Sequence, residues 1–493
     1  MANAENTEKV KGVPIPAEGT PEFARLNKMA KVAVPIVLVI FTLGVLMQQA
    51  FGMIFVNIGN DLGQPHLASL ITSLPGITLG IVCVIYGSLG DFISLKKMMI
   101  LGTLLFVIGS IVGFALGGLG VWWVVIGRVI QTAGWQVSGS IFLVLVSKYI
   151  TKRNRVIYYG IFVAVFRFAA AAGVLMAGYV SRIDWRWMFL LPVICLFFIP
   201  TLAKNLPDER VEGSRVDWIG FLLIGALAGA ITMYFTGMNW VWLAAAAVAL
   251  VAFIVYISKA KDPFMTPAFF KNRAFVMVMV VIFVGYFFSY TLNAGINAIG
   301  LDLFGMDSAE VSNYLVWSIL LAAVLGFVSG LIIRKIGRSA SIIMALACMG
   351  LGLIAVAVLI PHGPVLALAI APCIYYFGTS FFYSPIVDSA TLTVEPEESG
   401  RVLGFNDLIQ AVTGSIGVAV FGQMMASGSM SGGSLFGTEP GAASTYANVF
   451  FIGGIIVLAG MVIWIASKKM IYRNSRMDDE SDAAKAEKAD VEA

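Results

Sequence analysis

Histidine and cysteine are scarce in this 493-residue chain, which has two of the first and four of the second. His66 and His362 fall in loops, while Cys83, Cys195, Cys348 and Cys373 fall inside apolar runs with no paired spacing. A zinc site, a disulfide framework and His-based catalysis therefore lack material, and the cysteines read as core thiols. Paired carboxylates that could serve an enzyme do not converge in the runs either. Charge is sparse at 12% of residues, against about 25% in an ordinary soluble domain. No Gly-Lys dipeptide occurs, which removes the lysine-bearing phosphate loop of an ATP-driven pump. The net charge of +4 comes from lysines and arginines in loops, so it does not point to nucleic acid. No cofactor or metal is expected.

Apolar length is what the chain has instead. With 59% hydrophobic residues it contains fourteen runs, from 32–56 to 448–466, that reach the roughly 20 residues needed to cross the hydrocarbon layer. These runs should all be helical, because an unpaired backbone group in lipid costs several kcal/mol. Lys and Arg crowd every second loop: Lys96 and Lys97, then Lys148, Lys152, Arg153 and Arg155, then Lys204, Arg210 and Arg215, and onward to Arg334, Lys335, Arg338 and Arg401. The other loops hold only Arg182 and Arg186. By the positive-inside rule the basic set is cytoplasmic. The expectation is a multi-pass protein of the cell membrane with both termini in the cytoplasm.

An internal repeat sets the architecture. Gly87-Ser88-Leu89-Gly90-Asp91 leads into Lys96-Lys97 after span 2, and Gly330-Leu331-Ile332-Ile333-Arg334-Lys335 leads into Arg338 after span 10. The same small-residue, basic turn at the same place implies a duplicated six-helix bundle. The fold class expected is an all-α membrane protein with two six-helix bundles in parallel pseudo-repeat plus an inserted hairpin. Its divisions are an N-terminal tail 1–31, a first bundle 32–203, the hairpin and its flanks 204–272, a second bundle 273–466 and a C-terminal tail 467–493.

Gly87, Leu89, Asp91 and Lys96 resemble the loop signature of the major facilitator superfamily, and Arg128, Gln131 and Gly134 are similar to a second signature, with Thr132 where glycine is usual. Asp184-Trp185-Arg186-Trp187 and Asp217-Trp218-Ile219-Gly220 look like the fourteen-span drug:proton antiporter subfamily. The resemblance implies a secondary active transporter working by alternating access. It further implies proton coupling, export of an amphipathic molecule, a monomer in the bilayer, and a latching role for Asp91. Two features depart from the subfamily: Val174 stands where its span-5 signature has proline, and Met47, Gln48 and Gln49 stand where its first span carries an acid.

The spans also contain no Asp or Glu near mid-membrane, yet Arg128 and Arg167 lie well inside spans 4 and 5. A charge at the bilayer centre costs from about 3 to above 10 kcal/mol, so each should face a polar cavity or a partner. In this fold spans 1, 4, 9 and 12 line the central path. They supply Gln48 and Gln49; Arg128, Gln131 and Trp135; Tyr286, Tyr290, Asn293 and Asn297 as one helical stripe; and Tyr376, Thr379 or Ser380, and Tyr383. With Arg167 these are the candidate substrate contacts. Gly87, Asp91, Asp388 and Asp407, near the basic ends of spans, are the candidate gating residues. An organic anion of aromatic carboxylate type, taken up or exchanged at Arg167, is the alternative to drug export. A membrane sensor that does not transport is the alternative of another class.

The fourteen-span reading is tested by topology reporters. One placed near Gly237 should be external and one near Lys261 internal; a cytoplasmic signal at Gly237 would refute the hairpin.

Overall fold

The computed structural model describes residues 20–89, 93–208, 217–260, 263–394 and 399–472. Among them are fourteen helices long and apolar enough to span a membrane. The first six are α1 (Pro21–Asp61), α2 (Pro65–Tyr86), α3 (Leu95–Leu119), α4 (Val121–Tyr149), α5 (Ile157–Ser181) and α6 (Trp185–Asn205). A hairpin follows, α7 (Trp218–Gly237) and α8 (Trp240–Lys259). The last six are α9 (Arg273–Phe304), α10 (Ser308–Gly326), α11 (Arg338–His362), α12 (Val365–Thr391), α13 (Arg401–Ala426) and α14 (Ala442–Tyr472). An even number of crossings leaves Pro21 and Tyr472 on one face, the face of the basic loops.

Packing repeats between the halves. In the first bundle α1 packs on α5, α2 on α4, and α3 on both α4 and α6; in the second, α9 packs on α13, α10 on α12, and α11 on both α12 and α14. The bundles meet along two seams, α2 against α13 and α5 against α10. Because α2 corresponds to α10 and α5 to α13, one seam becomes the other when the halves are exchanged. A duplicated bundle with a two-fold relation has this property.

Local sequence explains how the hairpin is held. Asp217 caps α7 by accepting from the Gly220 N–H at 2.8 Å, and its carboxylate also accepts from the Phe264 N–H at 2.8 Å and the Tyr256 hydroxyl at 2.5 Å. One side chain thus ties the start of α7 to α8 and to the strand of chain entering the second bundle. A Cβ on Gly220 would lie 2.3 Å from the carboxylate, so a larger residue there would displace the cap. α8 packs on α7, and α7 lies against α2 and α13, so the hairpin sits outside one seam. At the other motif, Asp184 accepts from the Arg186 N–H at 2.9 Å and pairs with its guanidinium, starting a tightly wound 3-10 stretch over Trp185–Phe198.

Two helices of the second bundle are interrupted within the membrane. α9 consists of Arg273–Tyr286 and Thr291–Phe304, so the stripe expected to run unbroken through Tyr286 and Tyr290 crosses a turn. α12 opens with a wide turn, Val365–Ile370, runs as α-helix over Ala371–Ser380 and resumes at Tyr383. The second break has a visible cause. Pro385 has no N–H to give the Phe381 carbonyl, and the Ser341 hydroxyl of α11 donates to that carbonyl instead, at 2.9 Å. At the break in α9 the Phe287 carbonyl turns toward α13, where only a glycine fits: a Cβ on Gly417 would lie 1.7 Å from that oxygen.

Gly417→Ala should therefore destabilise by at least the 1–3 kcal/mol typical of overpacking, roughly, because the obstacle is backbone rather than a movable side chain. Thermal unfolding of the purified variant in detergent should show a clearly lowered midpoint. An unchanged midpoint would mean that the break in α9 can relax.

Candidate functional site

A cavity of about 210 Å³ lies between the bundles. α1 contributes Gln48, Gln49 and Gly52, α2 contributes Thr72, Pro75 and Gly76, α4 contributes Arg128 and Thr132, and α5 contributes Phe166 and Arg167. Across from them stand Tyr286, Ser289, Tyr290 and Asn293 of α9, Tyr375, Tyr376 and Thr379 of α12, and Gln410 of α13. The wall is aromatic and amide-rich, with two guanidiniums and no Asp or Glu among the described residues lining it.

The two arginines are held differently. Arg128 is 2% exposed, lies with its guanidinium carbon 4.6 Å over the Phe51 ring, and donates to the Gln131 side-chain oxygen. Gln131 in turn donates to the Ser110 hydroxyl at 2.8 Å, which donates to the Phe106 carbonyl at 2.8 Å. A π-face and a polarised chain thus meet part of this charge, while its Nε is buried with no partner among the described residues. Arg167 has no hydrogen-bond or ion-pair partner among the described residues, and its nearest ring contact is Phe166, at 6.0 Å. Its charge faces the cavity.

Above the cavity a polar ladder crosses between the bundles toward the face opposite the termini. The Tyr376 hydroxyl donates to Asn293 at 2.6 Å, and Asn293 reaches Gln49 of α1 at 3.4 Å. Asn297 donates to Asn57 at 2.9 Å, and Asn57 donates to Ser308 at 3.2 Å. Nearest that face, the Tyr179 hydroxyl meets Asn313 at 3.1 Å, and Arg182 grips Asp307 through Nη2 at 2.7 Å and Nε at 3.0 Å. The bundles are closed on each other there.

Several candidate contacts lie off the cavity. Gln131 is the second member of the Arg128 chain. Trp135 is buried against α1, its ring over Gly44 and 5.9 Å from Phe41. Asn297 belongs to the ladder. Tyr383, 47% exposed, lies toward the basic face, where its hydroxyl meets Asp407 at 3.4 Å. Asp407 also accepts from Asn406 at 3.0 Å, and Asp388 pairs with Arg338 within the second bundle. Gly87 is in the last helical turns after α2, and Asp91 lies outside the described residues. Sequence reasoning missed Gly52, Thr72, Pro75, Gly76, Thr132, Phe166, Ser289, Tyr375 and Gln410. Thr72 and Gln410 are polar residues in apolar runs, a signal that could have found them, but they sit on helices not expected to line the path.

Two duplicated bundles around a central polar cavity, closed at one face and set in a fourteen-helix membrane domain, define a membrane transporter. The family model described as Major Facilitator Superfamily matches residues 37–216 and again 214–418, and the chain belongs to that family. Among curated relatives, the multidrug transporter protein MdtP of Bacillus subtilis is 23% identical over 75% of this chain and 70% of its own length. The uncharacterized MFS-type transporter EfpA of Mycobacterium tuberculosis is 24% identical over 79% and 77%. Among solved structures, a POT family transporter in complex with a thioalcohol-conjugated peptide aligns with a TM-score of 0.65 at 14% identity, over 89% of this chain and 96% of that one. A likeness at that identity extends to the fold alone.

The ion pair at the closed face gives a pH test. The Glu310 N–H foremost, and then the Arg182 guanidinium, hold the Asp307 carboxyl below its ordinary value, partial burial working against them. A depressed carboxyl contributes above its ordinary pKa and loses that contribution as pH falls through the lowered one. Both partners are nearly half exposed, so screening limits the pair to about 0.2–1 kcal/mol. Spin-label distances between the ends of α5 and α10 should stay constant from roughly pH 8 to 5 and lengthen only below about pH 4. Asp307→Asn should shift the closed population by no more than about fivefold. Opening already at pH 6 would mean that another group controls the face.

Proposed function

We propose that this protein is a secondary transporter for small amphipathic organic acids of the aromatic carboxylate type, exporting them through the central cavity in a proton-coupled cycle. In this reading the basic face is cytoplasmic, the protein sits in the cell membrane as a monomer, and the conformation described is closed to the outside. The observation that carries the proposal is the charge of the wall: Arg128 and Arg167 line the cavity with no carboxylate among the described lining residues. In a low-dielectric cavity an unscreened guanidinium favours an anion and opposes a cation. A carboxylate meets the planar two-pronged donor of Arg167, and the tyrosines offer flat apolar faces to an attached ring.

Export rests on two supports. The relatives MdtP and multidrug resistance protein 3 of Bacillus subtilis are named for multidrug transport and resistance. An inside-negative potential also drives an anion outward by about 2.3 kcal/mol per charge per 100 mV. In this scheme Asp407, whose carboxylate meets the Tyr383 hydroxyl at 3.4 Å, exchanges a proton with the cytoplasm.

Proteoliposomes with an imposed pH gradient test the reading, with benzoate and a cationic dye as substrates. Wild-type protein should carry benzoate. Arg167→Lys should bind it more weakly, and Arg167→Ala should lose roughly ten- to a hundredfold in affinity, the worth of a hydrogen bond to a charged group. Transport of the dye alone would establish cation export instead, and wild-type benzoate affinity in Arg167→Ala would leave that arginine a structural brace.

A further inference from the structure

Polar atoms in the cavity wall are left without partners. The hydroxyls of Tyr375 and Thr72, the side-chain nitrogen of Gln410 and Nε of Arg128 are buried with no hydrogen-bond partner among the described residues, and all four residues line the cavity. Tyr375 itself is 2% exposed. Its neighbour Tyr376 stands edge-on to it, ring centroids 5.8 Å apart, and has its hydroxyl committed to Asn293 at 2.6 Å. The backbone of α11 presses on that of Tyr375, so closely that a Cβ on Gly352 would lie 2.4 Å from the Tyr375 nitrogen. A buried hydroxyl with no partner is a net cost to the fold, and phenylalanine would fill the same volume without it.

We infer that Tyr375 and Gln410 are specificity-determining residues that donate hydrogen bonds to an acceptor on the substrate separate from its charged group. An amide nitrogen only donates, so the partner missing at Gln410 is an acceptor such as a ring hydroxyl, ether or ketone oxygen, and a tyrosine hydroxyl can donate to the same kind of atom. Resting on the reading above, this narrows the substrate class to aromatic carboxylates bearing one further oxygen. A site built to pair with such an oxygen discriminates strongly against the analogue lacking it, because the protein donors are then left without their partner. The unpaired donors are thus the selectivity, kept at a cost in stability of the empty protein.

The test uses the full chain in detergent and two probe pairs matched in charge, benzoate with 4-methoxybenzoate and benzylamine with 4-methoxybenzylamine. Wild-type protein should bind the methoxy acid at least tenfold more tightly than benzoate. Tyr375→Phe should reduce that preference to less than about threefold and raise the unfolding midpoint of the ligand-free protein. Gln410→Leu should also reduce the preference. If only the amines bind and Tyr375→Phe flattens their preference for the methoxy member, the acceptor site stands and the anion reading falls. An unaltered preference in Tyr375→Phe, or a ligand-free midpoint that falls, would make the hydroxyl structural and overturn the inference.

Discussion

The cost of holding guanidinium charge inside the hydrocarbon layer governs the interior of this protein. It is met in two ways. Around Arg128 the chain builds a partial substitute for water from Phe51, Gln131 and Ser110, which explains why Gln131 is used up in the core. Around Arg167 no such shell exists among the described residues, and the charge is left to the cavity. A bilayer tolerates such a group only where a partner or water reaches it. The cavity, its polar wall and its place midway between the bundles are consequences of that requirement.

Closure at one face follows from side chains that share little with this charge problem. The ladder from Tyr376 through Asn293, Asn297 and Asn57 to Ser308 joins four helices by neutral hydrogen bonds, each worth roughly 1 kcal/mol in a membrane. Contacts of that size close a face firmly as a set and still break together, which suits two bundles that must separate during transport. The breaks in α9 and α12 add an asymmetry that duplication alone would not produce, since α1 and α4 run unbroken. Pro385 and Gly417 show how each break is accommodated: the first by a borrowed hydroxyl, the second by a missing side chain.

Family membership and fold do not choose a substrate, because one fold serves many functions and the choice lies in the site. Here two of the relatives are named for multidrug transport or resistance, while the wall carries positive charge and tyrosines. The proposed export of amphipathic acids is compatible with both facts.

Much of this was legible in the chain. Fourteen spans, the repeated basic turns and the inserted hairpin follow from apolar length and from where lysine and arginine fall, because the bilayer imposes one thickness and one charge asymmetry on every helix. Gln48, Gln49, Arg128, Arg167, Tyr286, Tyr290, Asn293, Tyr376 and Thr379 reach the cavity as polar residues on the expected helices, with Arg167 on a fifth. Tertiary structure alone decided the rest. Helical periodicity shows which residues share a side but not how the helix is rotated, so Trp135 packs against α1 and Tyr375 is among the lining residues. Nor does it give depth relative to a neighbour, so Asn297 belongs to the seal and Tyr383 to the basic side. Thr72 and Gln410 became lining residues only when the seam of α2 and α13 brought them there, and the turn in α9 has no proline to announce it. These are properties of pairs of helices, set by which surfaces fit, and a single chain read in order does not contain the distance between two of its faces.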